Sequence, residues 1–290
     1  MTYKQPEGLA PGIYFGLSNE DYHADFAVSQ SSIPKILDNP YDYWYFSSLN
    51  PDRPIVKTKA MDHGTYSHCL LLEPDVFHST YRSSSSSYDR AIKTVNKNDY
   101  DKVTEAIDIV KETDDISIFF QEGYAEVAII WVDPQTGIKC RIKVDYLRVF
   151  GGVDYKTTAS INDTDLGKTC KKYWYDVQAK YYADGIKAAK KALCLGDKSF
   201  GVYGDVDLDW LKQFALEPDT FFQFIFQRAV RPFVIKAVDI DKEITDDAEV
   251  FIRDGLDLYL EYITEYGQNP WPINAKPLNM TYHHFHTWRR

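Results

Sequence analysis

The 290-residue chain has only four cysteines, Cys69, Cys140, Cys170 and Cys194, and no two of them form a C-x-x-C pair. That spacing excludes zinc-ribbon and iron–sulfur frameworks and leaves reduced, mostly buried thiols. No apolar run approaches the roughly 20 residues a membrane-spanning helix needs, so no membrane partner is expected. Met1-Thr2-Tyr3-Lys4-Gln5-Pro6 lacks both the charged and the apolar region of a secretion signal, and the expected location is the cytoplasm. No internal repeat and no Pro/Gly linker divides the chain, so one domain over 1–290 is expected. Net positive charge is missing too. The formal charge is −10, which ordinarily argues against a polyanionic partner. Its distribution answers that objection: Lys156 to Lys198 holds nine lysines against five aspartates, and a local basic stripe binds a polyanion even on an acidic protein.

What is present describes a globular protein. Apolar residues make up 44% and charged residues 26%; aromatics reach 15%, half of them tyrosine, which favours β-rich structure. Residues 1–25 read as an irregular lead-in and 26–75 as N-terminal helices. In that region Ser31-Ser32-Ile33-Pro34 has the hydroxyl and early proline of a helix start. A second helix is expected from about Met61 to Leu72, with Gly64 and His68 on one face. Ser83 to Ser87 reads as a loop, and Tyr100 to Phe120 as a helix. The core is expected over 120–240 and a helix with a tail over 241–290. That last helix, Asp246 to Tyr266, carries an apolar stripe of Phe251, Leu256, Tyr259, Leu260 and Ile263.

The clearest pattern lies between Glu126 and Thr158. Glu126 to Val132 reads as a strand and Asp133-Pro134-Gln135-Thr136-Gly137 as a hairpin turn. The return strand alternates, with Ile138, Cys140, Ile142 and Val144 on one face and Lys139, Arg141, Lys143 and Asp145 on the other. After Gly151-Gly152, Val153-Asp154-Tyr155-Lys156 places Asp154 and Lys156 on one face. Asp145, Asp154 and Lys156 at one sheet edge would meet the needs of phosphodiester hydrolysis. Carboxylates hold a hard cation such as Mg²⁺, and the lysine offsets charge on the transition state. A solvent-facing Asp/Lys pair at a strand end fits the short motif equally. The wider context favours chemistry: Glu126 precedes it, and a helix over about Tyr173 to Ala192 puts Gln178 and Tyr182 on one side. The lysines near that helix, Lys172 among them, suit either a phosphate backbone or a solvated face. Tyr282-His283-His284-Phe285-His286 reads as a polar tail, since metal sites need convergent ligands.

The order carboxylate, Asp-x-Lys, Gln-x-x-x-Tyr resembles the PD-(D/E)XK nuclease superfamily. Tyr22-His23, Val28-Ser29-Gln30-Ser31, His63-Gly64-Thr65-Tyr66-Ser67-His68 and Leu71-Leu72-Glu73-Pro74 extend the likeness. With Asp154-Tyr155-Lys156-Thr157-Thr158 and Tyr175-x-Val177-Gln178-x-x-x-Tyr182-x-Asp184-Gly185, the chain is similar over about 14–190 to the exonuclease VIII (RecE-type) family of phage and prophage recombination nucleases. The resemblance implies an α/β restriction-endonuclease-like core, a mixed central sheet flanked by helices. It implies that His68, Asp145, Asp154 and the Tyr155 main-chain carbonyl hold Mg²⁺, replaceable by Mn²⁺, that Lys156 is catalytic and that Glu126 supports them. Gln178 and Tyr182 would brace the site or touch the scissile strand; Ser31, at a helix N-terminus, reads as a 5′-phosphate contact or a plain N-cap, and Lys172 as a DNA contact from the lysine-rich stretch. The implied activity is 5′→3′ degradation of duplex DNA ends to leave 3′ overhangs for recombination, in a ring-like homo-oligomer working with a single-strand annealing protein. The family's arginine near the first helix has no counterpart before Asp52, and the segment 201–217 has no counterpart either. A RecB-type repair nuclease, a structure-specific endonuclease and a non-catalytic DNA-end-binding protein share the same core and stay open as alternatives.

Overall fold

Strict alternation from Ile138 to Asp145 dictates the centre of the molecule, because a strand with one apolar face must bury that face. The computed structural model describes residues 6, 8–54, 59–84 and 93–273. The N-terminal part begins with strand β1 (Gly12–Tyr14), helix α1 (Asn19–Ala24), strand β2 (Val28–Ser29) and helices α2 (Ser32–Asp38) and α3 (Pro40–Phe46). There follow α4 (Lys59–Leu72), α5 (Pro74–Thr80), the small parallel pair β3 (Tyr81–Ser83) and β4 (Lys93–Val95), α6 (Lys97–Glu112) and α7 (Asp114–Ser117). The core comprises β5 (Gly123–Val132), β6 (Lys139–Arg148), β7 (Gly151–Thr158), α8 (Asp163–Tyr173), α9 (Tyr175–Leu195), β8 (Gly201–Tyr203), α10 (Leu208–Leu216), β9 (Phe221–Arg228) and β10 (Ile235–Val238). Helix α11 (Lys242–Tyr266) closes the described chain.

The main sheet runs β10-β9-β7-β6-β5-β1-β8, with β2 alongside β6. Neighbours from β1 to β7 are antiparallel, whereas β7 and β9 are parallel, so the sheet is mixed as the sequence implies. The β7–β9 crossover is made through α9, which a parallel pair requires. Ile142, Val144 and Ile129 are fully buried with Val177, Tyr181 and Ile186 of α9 and Ile252 and Tyr259 of α11. The opposite face packs Val153, Tyr155 and Ile225 against Leu70 of α4 and Val103 and Ile107 of α6. The expected hairpin turn forms, with the Asp133 carboxylate accepting the Thr136 amide and hydroxyl at 2.9 and 2.7 Å and Gly137 at φ 71°.

Several expectations are corrected. The described part of the lead-in is not irregular: Gly12-Ile13-Tyr14 is wholly buried between β5 and β8, too short a strand for alternation to reveal it. Ser83 ends β3 rather than belonging to a loop, while 85–87 and the His283, His284 and His286 tail lie outside the described residues. The Tyr100 to Phe120 segment is two helices and a 3-10 turn, broken at Thr113. The long helix begins two residues later than expected, because Trp174 interrupts it in a left-handed conformation (φ 56°). On α11 the buried stripe includes Ala248, Ile252, Leu256, Tyr259 and Ile263, and Phe251 is exposed. Segment 201–217 adds a strand and a helix at the sheet margin, where Trp210 packs on Phe15, Tyr124 and Phe214.

Candidate active site

β6 and β7 stop pairing at Tyr146↔Val153. Continued register would bring Asp145 opposite Asp154, and there the strands part. The amide released from the ladder, that of Tyr155, donates instead to Asp145 Oδ2 at 2.8 Å. A buried N–H needs a partner, and a carboxylate supplies it at the fork. On the other side of β6, the β5 register places Glu126 opposite Asp145, between the pairs Ala125↔Tyr146 and Val127↔Val144. Glu126 has φ 55°, a left-handed conformation that costs a non-glycine residue about 1–3 kcal/mol and persists only where surroundings impose it.

Helix α4 brings His68 over this pair. Its Nε2 lies 2.6 Å from Asp145 Oδ2 and its Nδ1 3.4 Å from Glu126 Oε1. Donor atoms of His68, Glu126 and Asp145 all fall within 4.8 Å of one another, a grouping able to hold a metal ion. Lys143, two positions before Asp145 on the polar face of β6, reaches Glu126 Oε2 at 2.7 Å and Asn19 Oδ1 at 2.8 Å.

Asp154 and Lys156 share a face of β7, as alternation requires. Lys156 Nζ donates to Asp154 Oδ2 at 2.9 Å, and Gln178 Nε2 from α9 lies 3.2 and 3.3 Å from the two carboxylate oxygens. Asp154 is only 2% exposed. Its carboxylate is therefore committed to Lys156 and Gln178 and lies outside the three-donor group, in which Glu126 stands instead. Tyr155 points the other way, its hydroxyl donating to Gln227 Oε1 at 2.5 Å.

Charge in the site is balanced by these contacts. Burial raises the Asp154 carboxyl to about 7, helped by the neighbouring Asp145 charge and opposed by Lys156 and His68. Asp145 stays below the ordinary carboxylate range: burial opposes this, but the His68 charge and hydrogen bond, Lys156 and the Tyr155 amide outweigh it. Glu126 is likewise held low against burial, by His68 and Lys143. Burial pulls His68 down, yet Asp145 and Glu126 lift it to about 10. Lys156 is held above its usual value, the Asp154 and Asp145 charges overcoming burial.

These groups open onto a cleft of about 640 Å³ lined by Gly64, His68, Glu126, Lys143, Asp145, Tyr155, Lys156 and Tyr182, with Tyr22 and His23 of α1 on one wall. Of the residues singled out in the sequence, His68, Glu126, Asp145, Tyr155, Lys156 and Tyr182 line it, and Gln178 supports it from beneath through Asp154. Ser31 and Lys172 do not line it. Ser31 is exposed, caps no amide of α2 and contacts Ser29 Oγ at 3.1 Å. Lys172 is exposed on α8. Lys143, which contacts Glu126, is the neighbour that sequence reading left without a role; its place on the Asp145 face was the signal.

No curated protein matches the chain in sequence. Among solved structures, a protein of Eubacterium rectale named as a candidate exonuclease superposes with a TM-score of 0.57 at 15% identity, over 91% of this chain and 97% of that one. That likeness bears out the expected fold, a mixed central sheet flanked by helices. The model of a family described as a PDDEXK-like domain of unknown function (DUF3799) matches residues 45–195, a stretch that holds His68, Glu126, Asp145, Lys156 and Tyr182 of the cleft and Asp154 and Gln178 beneath it, and the chain belongs to that family.

Proposed function

We propose that the protein is a divalent-metal-dependent deoxyribonuclease. The observation that carries this reading is the convergence of His68, Glu126 and Asp145 within 4.8 Å at the mouth of a cleft that also presents Lys156. The donor set fits a divalent cation: two carboxylates supply oxygens suited to Mg²⁺ or Mn²⁺, and the imidazole adds one nitrogen donor. Such an ion, when bound, supplies Lewis acidity at the scissile phosphate and lowers the pKa of water. His68, Glu126 and Asp145 would hold it; in the family pattern the Tyr155 carbonyl and Asp154 would join them, Asp154 by exchanging its contact with Lys156 for the ion. Lys156, kept protonated, offsets negative charge as the phosphorus becomes five-coordinate. Gln178 fixes the Asp154 carboxylate, and Tyr182 contributes to the wall that meets the substrate.

The finer reading is a Mg²⁺-dependent exonuclease of the exonuclease VIII type. It would digest duplex DNA ends 5′→3′ and leave 3′ overhangs for recombination, as a ring-like oligomer beside a single-strand annealing protein. Its support is the sequence resemblance across the Asp-x-Lys and Gln-x-x-x-Tyr segments, together with the name carried by the Eubacterium rectale structure. The test is to offer end-labelled linear duplex, closed circular duplex and single-stranded DNA with Mg²⁺ or Mn²⁺. Nucleotides are expected from linear duplex alone, at rates at least ~100-fold lower in Asp154→Ala and Lys156→Ala. Cutting of closed circles would turn the assignment to an endonuclease. No hydrolysis of any of the three would refute it.

A further inference from the structure

The junction of α8 and α9 builds a surface that the metal-binding group does not use. Trp174 both ends α8 and starts α9 at φ 56°, ψ 45°. A bulky residue rarely occupies that region, and the conformation costs about 1–3 kcal/mol. The Trp174 ring is pinned edge-on against Phe251 of α11, with centroids 5.3 Å apart.

The break has a geometric consequence. In one continuous helix, residues two apart point roughly 200° apart around the axis and cannot meet. The elbow at Trp174 instead stacks Tyr173 on Tyr175, with centroids 5.9 Å apart and planes at 27°. Tyr175 is fixed from below by Phe224 and Phe226 of β9, at 5.2 and 5.8 Å, and its ring lies 5.3 Å from Lys156 Nζ. Tyr173, the outer member, is 53% exposed. Lys171 and Lys172 precede it on the surface, and Lys172 Nζ sits 5.0 Å from the Tyr173 ring. An immobilised inner ring, an exposed outer ring and flanking cations thus adjoin the lysine of the Asp-x-Lys pair.

We infer that the Tyr173–Tyr175 stack is a base-stacking platform for an unpaired stretch of DNA next to the cleavage site, an assignment that rests on the nuclease reading above. Bases in duplex are already stacked on one another, so an exposed aromatic face of this kind serves an unpaired base. Lys171 and Lys172 follow the adjoining phosphates. Stacking of this sort is indifferent to sequence, because every base has a π-face. The strained elbow is the element that turns Tyr173 outward beside Lys156.

The experiment uses the full chain carrying Asp145→Asn, so that DNA is not consumed, and single-stranded oligonucleotides containing 2-aminopurine. Tyr173→Ala is expected to weaken single-strand binding roughly 5- to 100-fold and to abolish the fluorescence quench. Tyr173→Trp is expected to retain both, which separates stacking from misfolding. An oligonucleotide with abasic sites should bind the parent and Tyr173→Ala alike. If Tyr173→Ala binds the normal oligonucleotide as tightly as the parent, or loses normal, abasic and blunt duplex DNA equally, the platform is refuted. When either result accompanies a native chain that hydrolyses DNA, the platform falls and the nuclease reading stands. A native chain that neither binds nor cuts DNA overturns both.

Discussion

Replacing His68 by alanine tests the electrostatics of the centre in the absence of any metal. The imidazole sits between two carboxylates that face each other across β5 and β6. Its folded value of about 10, against 6.5 unperturbed, sets a linkage ceiling of about 5 kcal/mol. The side chain is 31% exposed, so solvent screening lowers that figure. A single charge-assisted hydrogen bond, here to Asp145, contributes roughly 1.5–3 kcal/mol, and we take that range as the expected loss. In a chain of 290 residues it corresponds to a fall in Tm of roughly 2–5 °C. The sign with pH follows from the raised value. The stabilisation is fully present below about 6.5 and is lost as pH rises through about 10. Melting curves recorded in chelator at pH 6, 7.5, 9 and 10.5 should therefore show the gap between native and His68→Ala closing at the alkaline end. A gap that stays constant across this range, or widens towards pH 10.5, would refute the reasoning.

Two further outcomes follow from the same geometry. Metal ligation needs deprotonated donors, while His68 is raised to about 10 and Asp154 to about 7; Mn²⁺ binding should release protons at pH 7.5 and tighten as pH rises from 6 to 9. Calorimetric titration in buffers of different ionisation enthalpy measures this directly, and an affinity flat with pH would contradict it. Gly185→Ala would place a Cβ 2.8 Å from both Ile142 Cδ1 and Trp131 Cζ3, overpacking α9 against the hairpin at a cost of about 1–3 kcal/mol. Denaturant unfolding should show that loss, and an unchanged midpoint would mean that α9 can shift away from the sheet.

The parts of the fold legible in the sequence are those where side-chain pattern and backbone agree. Alternation from Ile138 to Val144 gave β6 its buried face, and the Asp133 to Gly137 turn fixed the hairpin, so Asp145 was placed correctly. Asp154 and Lys156 followed from the same period of two. β1 escaped because three residues show no periodicity, and its burial comes from two neighbours distant in sequence. Ser31 was read as a possible phosphate contact from local chemistry alone, and no local signal says that it sits away from the cleft. The pairing of Glu126 with Asp145 was within reach, because the hairpin turn already sets which residues oppose one another. What it needed was to count the register through the turn instead of ranking the carboxylates by motif.

The backbone conformation at two positions could not have been read, and both have the same physical origin. Glu126 and Trp174 both adopt left-handed backbone, which sequence reasoning reserves for glycine and, less often, asparagine. Neither residue type announces such a turn, so Glu126 looked like an ordinary strand residue and Trp174 like the interior of a helix. Local preference loses at both places because tertiary contacts outweigh a cost of about 1–3 kcal/mol. At Glu126 the opposing contacts are Lys143 and His68, and at Trp174 they include Phe251. Each departure also aims a side chain: Glu126 towards His68 and Asp145, Tyr173 outward onto the surface. Local sequence rules therefore miss the backbone of Glu126 and Trp174, as they miss Glu122 and Phe233, the other left-handed non-glycine positions among the described residues, and they hold where polar and apolar residues alternate along β6.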